Sequence, residues 1–310
     1  MFKPKMTLTS QTCLTEMFGP HMKKLAHEDN PDSIKYYVKK YILNNKELFK
    51  GKKVLDVPAG SGITSRILNE VGAKVYPYDL FPEFFHESKE TCKFCDLTEK
   101  IPEKDGFFDI VICQEGIEHL PNACHALGEM NRVLKKNGLL IITTPNYSSL
   151  QARLSNLIFE SENSKRFMPP NEYESIWFSG KKTSSASRAK YYFGHAFLLG
   201  IQKFRLLWKI NGFDLMELVK NKVKMRNFFL FVLWYPFLLF GSFYLWQKNT
   251  RKLNTEKNAR NIVFKEQLKL NLSLTILLHS HLFVVLKKTK TTNEAFQIYK
   301  TENIKLFKET

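Results

Sequence analysis

Val54-Leu55-Asp56-Val57-Pro58-Ala59-Gly60-Ser61-Gly62 is the stretch on which the reading of this 310-residue chain turns. Its first four residues are mostly apolar and suit a buried strand; the next five are small or turn-forming. Behind them Ile63, Ile67, Leu68 and Val71 are apolar at helical spacing. Strand, tight turn of small residues and helix form the opening of a nucleotide-type site in an open α/β sheet. Small residues let the backbone approach a ligand, and a helix N-terminus favours an anionic group there. A P-loop would need Lys and then Ser or Thr after its last Gly, and Ile63-Thr64 stands there instead. A dinucleotide fingerprint would need a third Gly where Ser65 stands, so that pattern is met only in part. A strand-helix turn with no ligand is the remaining reading of these nine residues alone.

Working outward, apolar residues at 34, 37, 38, 41 and 42 predict a helix from Ser33 to Phe49, ended by Gly51. Residues 1–32 show no period and are expected to form an irregular lead-in. On the other side Gly72 closes the helix, and Ala73 to Tyr78 reads as a second strand. It ends at Asp79, 23 positions after Asp56, where a ribose-binding carboxylate belongs. One carboxylate can accept from both hydroxyls of a sugar; a solvated Asp at a strand end is the plainer alternative. Lys93 to Leu97 reads as a short third strand and Phe108 to Cys113 as a fourth. Asn122 is placed to cap a helix running to Lys136, with Leu127, Met130 and Leu134 inward. Gly138 ends it, and Leu139 to Thr144 is a fifth strand stopped by Pro145.

In register behind Asp56, Asp79 and Asp96 come Phe108-Asp109-Ile110-Val111, Glu118-His119-Leu120, Arg132-Val133-Leu134-Lys135 ahead of Gly138, and Thr144-Pro145-Asn146. Over roughly residues 34–147 this order resembles class I S-adenosylmethionine (SAM)-dependent methyltransferases. The likeness is to ubiquinone-type O-methyltransferases and to relatives acting on glycans and lipid-linked precursors. Pro58 stands where the family has its first Gly, fixing φ and removing a donor. The resemblance implies a doubly wound, mostly parallel seven-stranded α/β sheet. It also implies SAM held by Asp56, Ala59, Gly60, Gly62, Asp79, Asp96, Leu97 and Gln114, with Asp96 near the adenine amino group. A hydroxyl acceptor needs a base, and His119 just past strand four is the candidate; His195, after strand five, could reach the same cleft. A structural hydrogen bond is the other role open to His119, and a loop-to-helix cap the other role open to His195. Glu115, Glu118 and His119 resemble the divalent-metal set of ubiquinone O-methyltransferases and small-RNA 2′-O-methyltransferases. The same Glu-His pair also occurs in relatives not known to need metal.

Past strand five, Met168-Pro169-Pro170 and Gly180 to Lys190 read as loops, where a substrate lid is often inserted. Gly194-His195 precedes a helix through Leu206, Leu207 and Ile210; Asn211-Gly212 ends it, and Phe213 to Val219 is strand six. Phe228 to Trp246 then runs 19 residues without a charge, long enough to cross a bilayer. Arg226 and Lys248 flank it, and Trp and Tyr are frequent in it. Yet His281 to Lys287 reads as strand seven, which must share a sheet with strand six. The expectation is an apolar helical insertion between strands six and seven, broken near Pro236 and Gly241 and dipping into one leaflet. A buried helical pair is the alternative. The expected units are a SAM domain over 33–224, a membrane-associating insertion over 225–270, a final strand within 271–290 and a polar tail over 291–310.

The formal charge of +17 is unevenly placed. Residues 1–180 balance at 23 basic and 23 acidic side chains, while residues 181–310 hold 24 against 7. Such an excess points to an anionic partner: lipid, nucleic acid or a phosphorylated substrate. A nucleic-acid surface would interleave basic residues with stacking aromatics; here the aromatics form one charge-free block, which favours an anionic membrane surface over nucleic acid. Five scattered cysteines argue against a disulfide framework, and Cys92-x-x-Cys95 has no second pair for a zinc site. Met1 to Leu14 lacks the apolar core of a signal peptide. The chain is therefore expected to be cytoplasmic, peripheral or monotopic at the inner membrane face. Its expected substrate is a small molecule, a glycan, a lipid-linked intermediate or a quinone-like lipid. An RNA 2′-O-methyltransferase and a non-catalytic membrane adaptor are the alternatives; the intact Asp56, Gly60, Gly62 and Asp79 argue against the adaptor.

Overall fold

A computed structural model describes residues 25–159, 197–252 and 257–308 of the chain. Its strands are β1 (Lys53–Asp56), β2 (Lys74–Asp79), β3 (Lys93–Phe94), β4 (Phe108–Gln114), β5 (Leu134–Pro145), β6 (Phe213–Leu218) and β7 (His281–Lys288). They form one sheet in the order β3-β2-β1-β4-β5-β7-β6. Every pairing is parallel except those of β7, which runs antiparallel to both β5 and β6. This order, with a reversed strand wedged in next to the edge, is the class I methyltransferase fold. The order turns back between β1 and β4, so the carboxyl ends of those strands open a crevice.

The central strands are apolar on both faces because helices cover both faces. On one side lie α1 (Ile34–Asn44), α2 (Lys46–Phe49) and α3 (Ile63–Glu70). Val38, Ile42, Phe49, Ile67 and Leu68 pack there against Val54, Ile110, Ile112 and Val285. On the other lie α4 (Ala123–Val133) and α6 (Ile201–Ile210), the latter following α5 (Leu150–Phe159) in chain order. Leu127, Met130, Phe204 and Trp208 pack there against Leu55, Val111, Leu140 and Val284.

Several boundaries differ from the sequence reading. The helix expected over Ser33–Phe49 is two helices, parted at Asn45, whose side-chain amide donates to the Tyr41 carbonyl at 2.9 Å. Asn122 caps α4 as expected, accepting from the His125 amide, but α4 stops at Val133. Leu134 already pairs with Phe108, so β5 begins there and carries an irregularity through Asn137, whose φ is 62°. Periodicity alone cannot mark that point, because Leu134 is inward in either conformation.

The largest correction concerns the apolar segment. It is a single helix, α7 (Met225–Lys252), which runs through Pro236 and Gly241 without the expected break. Proline deletes one N–H bond, and the intact ladders on either side carry the helix across. Nor is the segment a buried pair: its most apolar window has no buried residue. Phe229, Val232, Phe237 and Phe240 are 66–77% exposed. The chain returns through α8 (Lys257–Asn271), which packs on α7 and α6, and through α9 (Leu274–Leu278) into β7. Asn271 donates to the Ser242 hydroxyl at 2.7 Å across the α7–α8 contact. The expected polar tail is helical, α10 (Thr292–Lys308), and packs against α4 and α6. Residues 168–170 and 180–190 and His195 lie outside the described residues.

Candidate active site

The turn after β1 is built around glycine. Gly62 has a φ of +94°, and a Cβ there would lie 2.8 Å from the Phe85 ring. Only a residue without a Cβ meets both conditions. The Gly60 amide donates to Asp79 Oδ2 and the Phe81 amide to Asp79 Oδ1, each at 2.8 Å. Asp79 thus ties the glycine turn to the segment after β2. That segment folds back, and the amides of His86 and Glu87 donate to the Ser61 carbonyl. Ala59 is buried in the same turn. Asp56 is buried and accepts from the Ser65 hydroxyl at 2.6 Å. Burial pushes its pKa up to about 7, against the lowering effect of Ser65.

Beside the turn opens a cavity of about 160 Å³ at the carboxyl ends of β1, β2 and β4. Leu80, Phe81, Leu97 and Leu120 give it apolar walls, and Asp79, Asp96 and His119 give it polar ones. Gly116 closes one side: a Cβ there would meet Pro58 at 2.5 Å, so the proline and this glycine are a matched pair. Asp79 has about four lone-pair positions, and the two amides use two of them. Asp96 Oδ1 accepts from the Thr98 amide and hydroxyl at 2.8 and 2.7 Å, and no described residue donates to Oδ2. Gln114 accepts from the Thr64 hydroxyl, while its buried Nε2 has no partner among the described residues. The cavity therefore offers flat apolar walls, a carboxylate with two acceptor positions left and a second carboxylate deeper along the wall.

Next to it, at the end of β4, Glu115 holds a φ of 51°, which is uncommon for a residue with a side chain. Its carboxylate lies 3.5 Å from His281 Nε2, brought there by the start of the reversed β7. The other ring nitrogen of His281 lies 2.9 Å from the Ser280 hydroxyl. Glu118 is buried and accepts from the Thr144 hydroxyl at 2.9 Å. Burial and the nearby Glu115 carboxylate raise its pKa well above the usual range.

The structure thus brings Asp79, Asp96, Leu97 and His119 to one cavity. Asp56 lies behind the turn on Ser65, and Gln114 on Thr64. It does not bring Glu115, Glu118 and His119 together: Glu115 reaches His281, Glu118 reaches Thr144, and His119 is on the cavity wall. Among the described residues no three His, Cys, Asp or Glu side chains gather as a metal site. As placed here, Glu115, Glu118 and His119 do not form a three-ligand set for a divalent ion. His281 was missed from sequence because its partner Glu115 is distant along the chain and only the strand order joins them.

A sequence profile described as a methyltransferase domain matches residues 27–218. Curated relatives include a ubiquinone biosynthesis O-methyltransferase of Methylococcus capsulatus, 30% identical over 117 residues, covering 35% of this chain and 49% of the relative. Another, of Colwellia psychrerythraea, is 30% identical over 139 residues, covering 40% of this chain and 56% of the relative. The matches thus span about half the length of these relatives. Among solved structures, a SAM-dependent methyltransferase of Archaeoglobus fulgidus superposes with a TM-score of 0.44 at 16% identity, covering 84% of this chain and 97% of that one.

Proposed function

The chain belongs to the methyltransferase-domain family, and we propose that it moves the methyl group of SAM to a hydroxyl of a lipid-borne acceptor at the cytoplasmic face of a membrane. A lipid-linked glycan intermediate or a quinone-like lipid is the acceptor class. One observation carries the reading: the Asp79–Asp96 cavity stands at the strand-order switch point of a domain that also bears an exposed apolar helix.

The residues present fit SAM. The two acceptor positions left on Asp79 suit the two ribose hydroxyls, Asp96 Oδ2 suits the adenine amine, and Phe81, Leu97 and Leu120 suit the faces of the purine. When bound, SAM supplies a methyl group already activated on a positively charged sulfur. The chain's own work is then to align the acceptor and take its proton. Two imidazoles are at hand. His119 lines the cavity, and His281 lies against Glu115, a carboxylate that can orient an imidazole. Cys92, Cys95, Cys113 and Cys124 are free thiols, which suits a reducing compartment.

Labelled SAM mixed with membrane extract, then separated into lipid, glycan and RNA fractions, tests the reading. Label is expected in the lipid fraction. Label in RNA alone would move the acceptor to nucleic acid, and a chain that does not bind SAM would remove the methyltransferase reading itself. His119→Ala and His281→Ala separate the two bases. The variant that lowers turnover by about 10²-fold or more, with calorimetric SAM affinity unchanged, has lost the base. A variant in which both fall has lost a residue that shapes the SAM pocket.

A further inference from the structure

α5 starts just past the carboxyl edge of the sheet and packs against α7. Between them lies an apolar groove of about 110 Å³, walled by Leu150, Leu154, Leu157, Trp234 and Leu238. One charge lines it, Arg153. Its Nε donates to the Ser148 carbonyl at 2.9 Å, which holds the guanidinium plane. Its two terminal nitrogens have no acceptor among the described residues. Among the described residues no carboxylate acts on it either; burial pushes its pKa down. The other partly buried arginines differ: Arg66, Arg132 and Arg205 each meet a Glu within 2.5–2.7 Å. A half-buried guanidinium without an anion carries a desolvation cost that the described chain does not offset. Its planar fork matches a phosphate.

We propose that this groove seats a phosphate-bearing lipid: the two terminal nitrogens of Arg153 hold the phosphate, and the hydrocarbon chain lies along Leu157, Trp234 and Leu238. The assignment rests on the reading of α7 as a membrane helix. The groove shares a wall with that helix, whose side chains Leu233 and Phe237, flanking the groove residues, are 62% and 68% exposed. A chain can therefore pass from groove to bilayer without crossing water. Lys220, Lys222 and Lys224 precede α7 and Arg226 lies in its first turn; Lys222 pairs with Asp32, while Lys224 has Arg226 and Lys222 as its charged neighbours. The phosphate thus sits near a basic collar at the interface. The Ser148 that holds Arg153 also ties down α6, its hydroxyl accepting from the Ile201 amide at 2.8 Å. Ser148 belongs to the loop leaving the carboxyl edge of β5, and Arg153 to the first turn of the helix that follows, so the headgroup is held on the side of the sheet where the SAM cavity opens.

The test uses the full chain in a neutral detergent with monododecyl phosphate as probe, dodecanol and inorganic phosphate as comparisons, and calorimetry as readout. Monododecyl phosphate should bind, Arg153→Gln should weaken it at least about tenfold, and Arg153→Lys should weaken it less. Leu157→Asp, at a position 77% exposed and therefore neutral to the fold, should also weaken it. Equal affinity of the wild type and Arg153→Gln would overturn the proposal, as would equal affinity for dodecanol. Displacement by millimolar inorganic phosphate would make this a free-anion site and also overturn it. SAM affinity measured on the same samples separates the two readings. A wild type that binds the probe but not SAM would sink the methyltransferase reading alone; retained SAM affinity in Arg153→Gln shows that the variant is folded.

Discussion

Asp79 accepts from two backbone amides at the cavity and keeps two acceptor positions, which in the proposed reading take the two ribose hydroxyls. Asp79→Ala should weaken SAM binding by roughly 1–3 kcal/mol, the usual cost of leaving buried polar groups without partners. Calorimetry showing unchanged affinity would remove Asp79 from the site. Asp56 gives a pH prediction. Its carboxyl titrates near 3.8 when unperturbed and is raised to about 7 in the fold. Between those values the folded chain holds a proton that the unfolded chain releases. Asp56 therefore favours the fold at low pH, and that contribution is lost as pH rises from about 4 to about 7, by on the order of 4 kcal/mol in full. Asp56→Asn keeps an acceptor for the Ser65 hydroxyl and removes the titration. The melting temperature of the variant should rise relative to wild type between pH 4.5 and 7.5. Parallel curves for the two proteins would show that Asp56 ionises as freely in the fold as in the unfolded chain.

α7 is the element on which the membrane reading rests. Its presence was legible in 19 uncharged residues, and its continuity was not, because a proline reads as a break unless the flanking turns hold. Each large side chain moved from water into lipid contributes roughly 1.5–3 kcal/mol, and each Lys or Arg near an anionic surface about 1 kcal/mol. Apolar burial should therefore dominate. The protein is expected to pellet with anionic liposomes and to release only in part at high salt. Replacing Phe229, Val232, Phe237 and Phe240 together by Ser should leave it in the supernatant with SAM affinity unchanged, since these side chains are 66–77% exposed. A wild type that stays in the supernatant would refute the membrane role of the helix.

At the scale of the whole molecule, the place of β7 decides how the chain can meet a bilayer. β7 is hydrogen-bonded on both sides, to β5 and β6, and α10 packs back on α4 and α6. Everything after α9 therefore lies with the sheet. If α7 enters a membrane, the chain must come back to the side it left, so insertion is monotopic. Reporters fused at residue 310 and within the SAM domain should appear on the same, cytoplasmic side. A C-terminal reporter on the far side would require β7 to leave the sheet and would break the fold described above.

The individual strands were readable because their apolar runs stop at Asp56, Asp79 and Pro145, while the order of the strands in the sheet came with the family resemblance. Asp79 and Asp96 could be singled out because each ends a strand, and the structure brings both to one cavity. The α4–β5 boundary could not be placed, because Leu134 is buried in a helix and in a strand alike. The parting at Asn45 depends on a side-chain bond to Tyr41 that has no periodic signal. The Glu115–His281 contact, the Pro58–Gly116 fit and the Arg153 groove join residues from separate elements. Local sequence determines what a segment can become, through periodicity, turn chemistry and charge. Which distant side chains share a few ångströms is decided only when the elements pack together, as when the reversed strand takes its place between β5 and β6 and carries His281 to Glu115, because burial acts on the whole sheet at once.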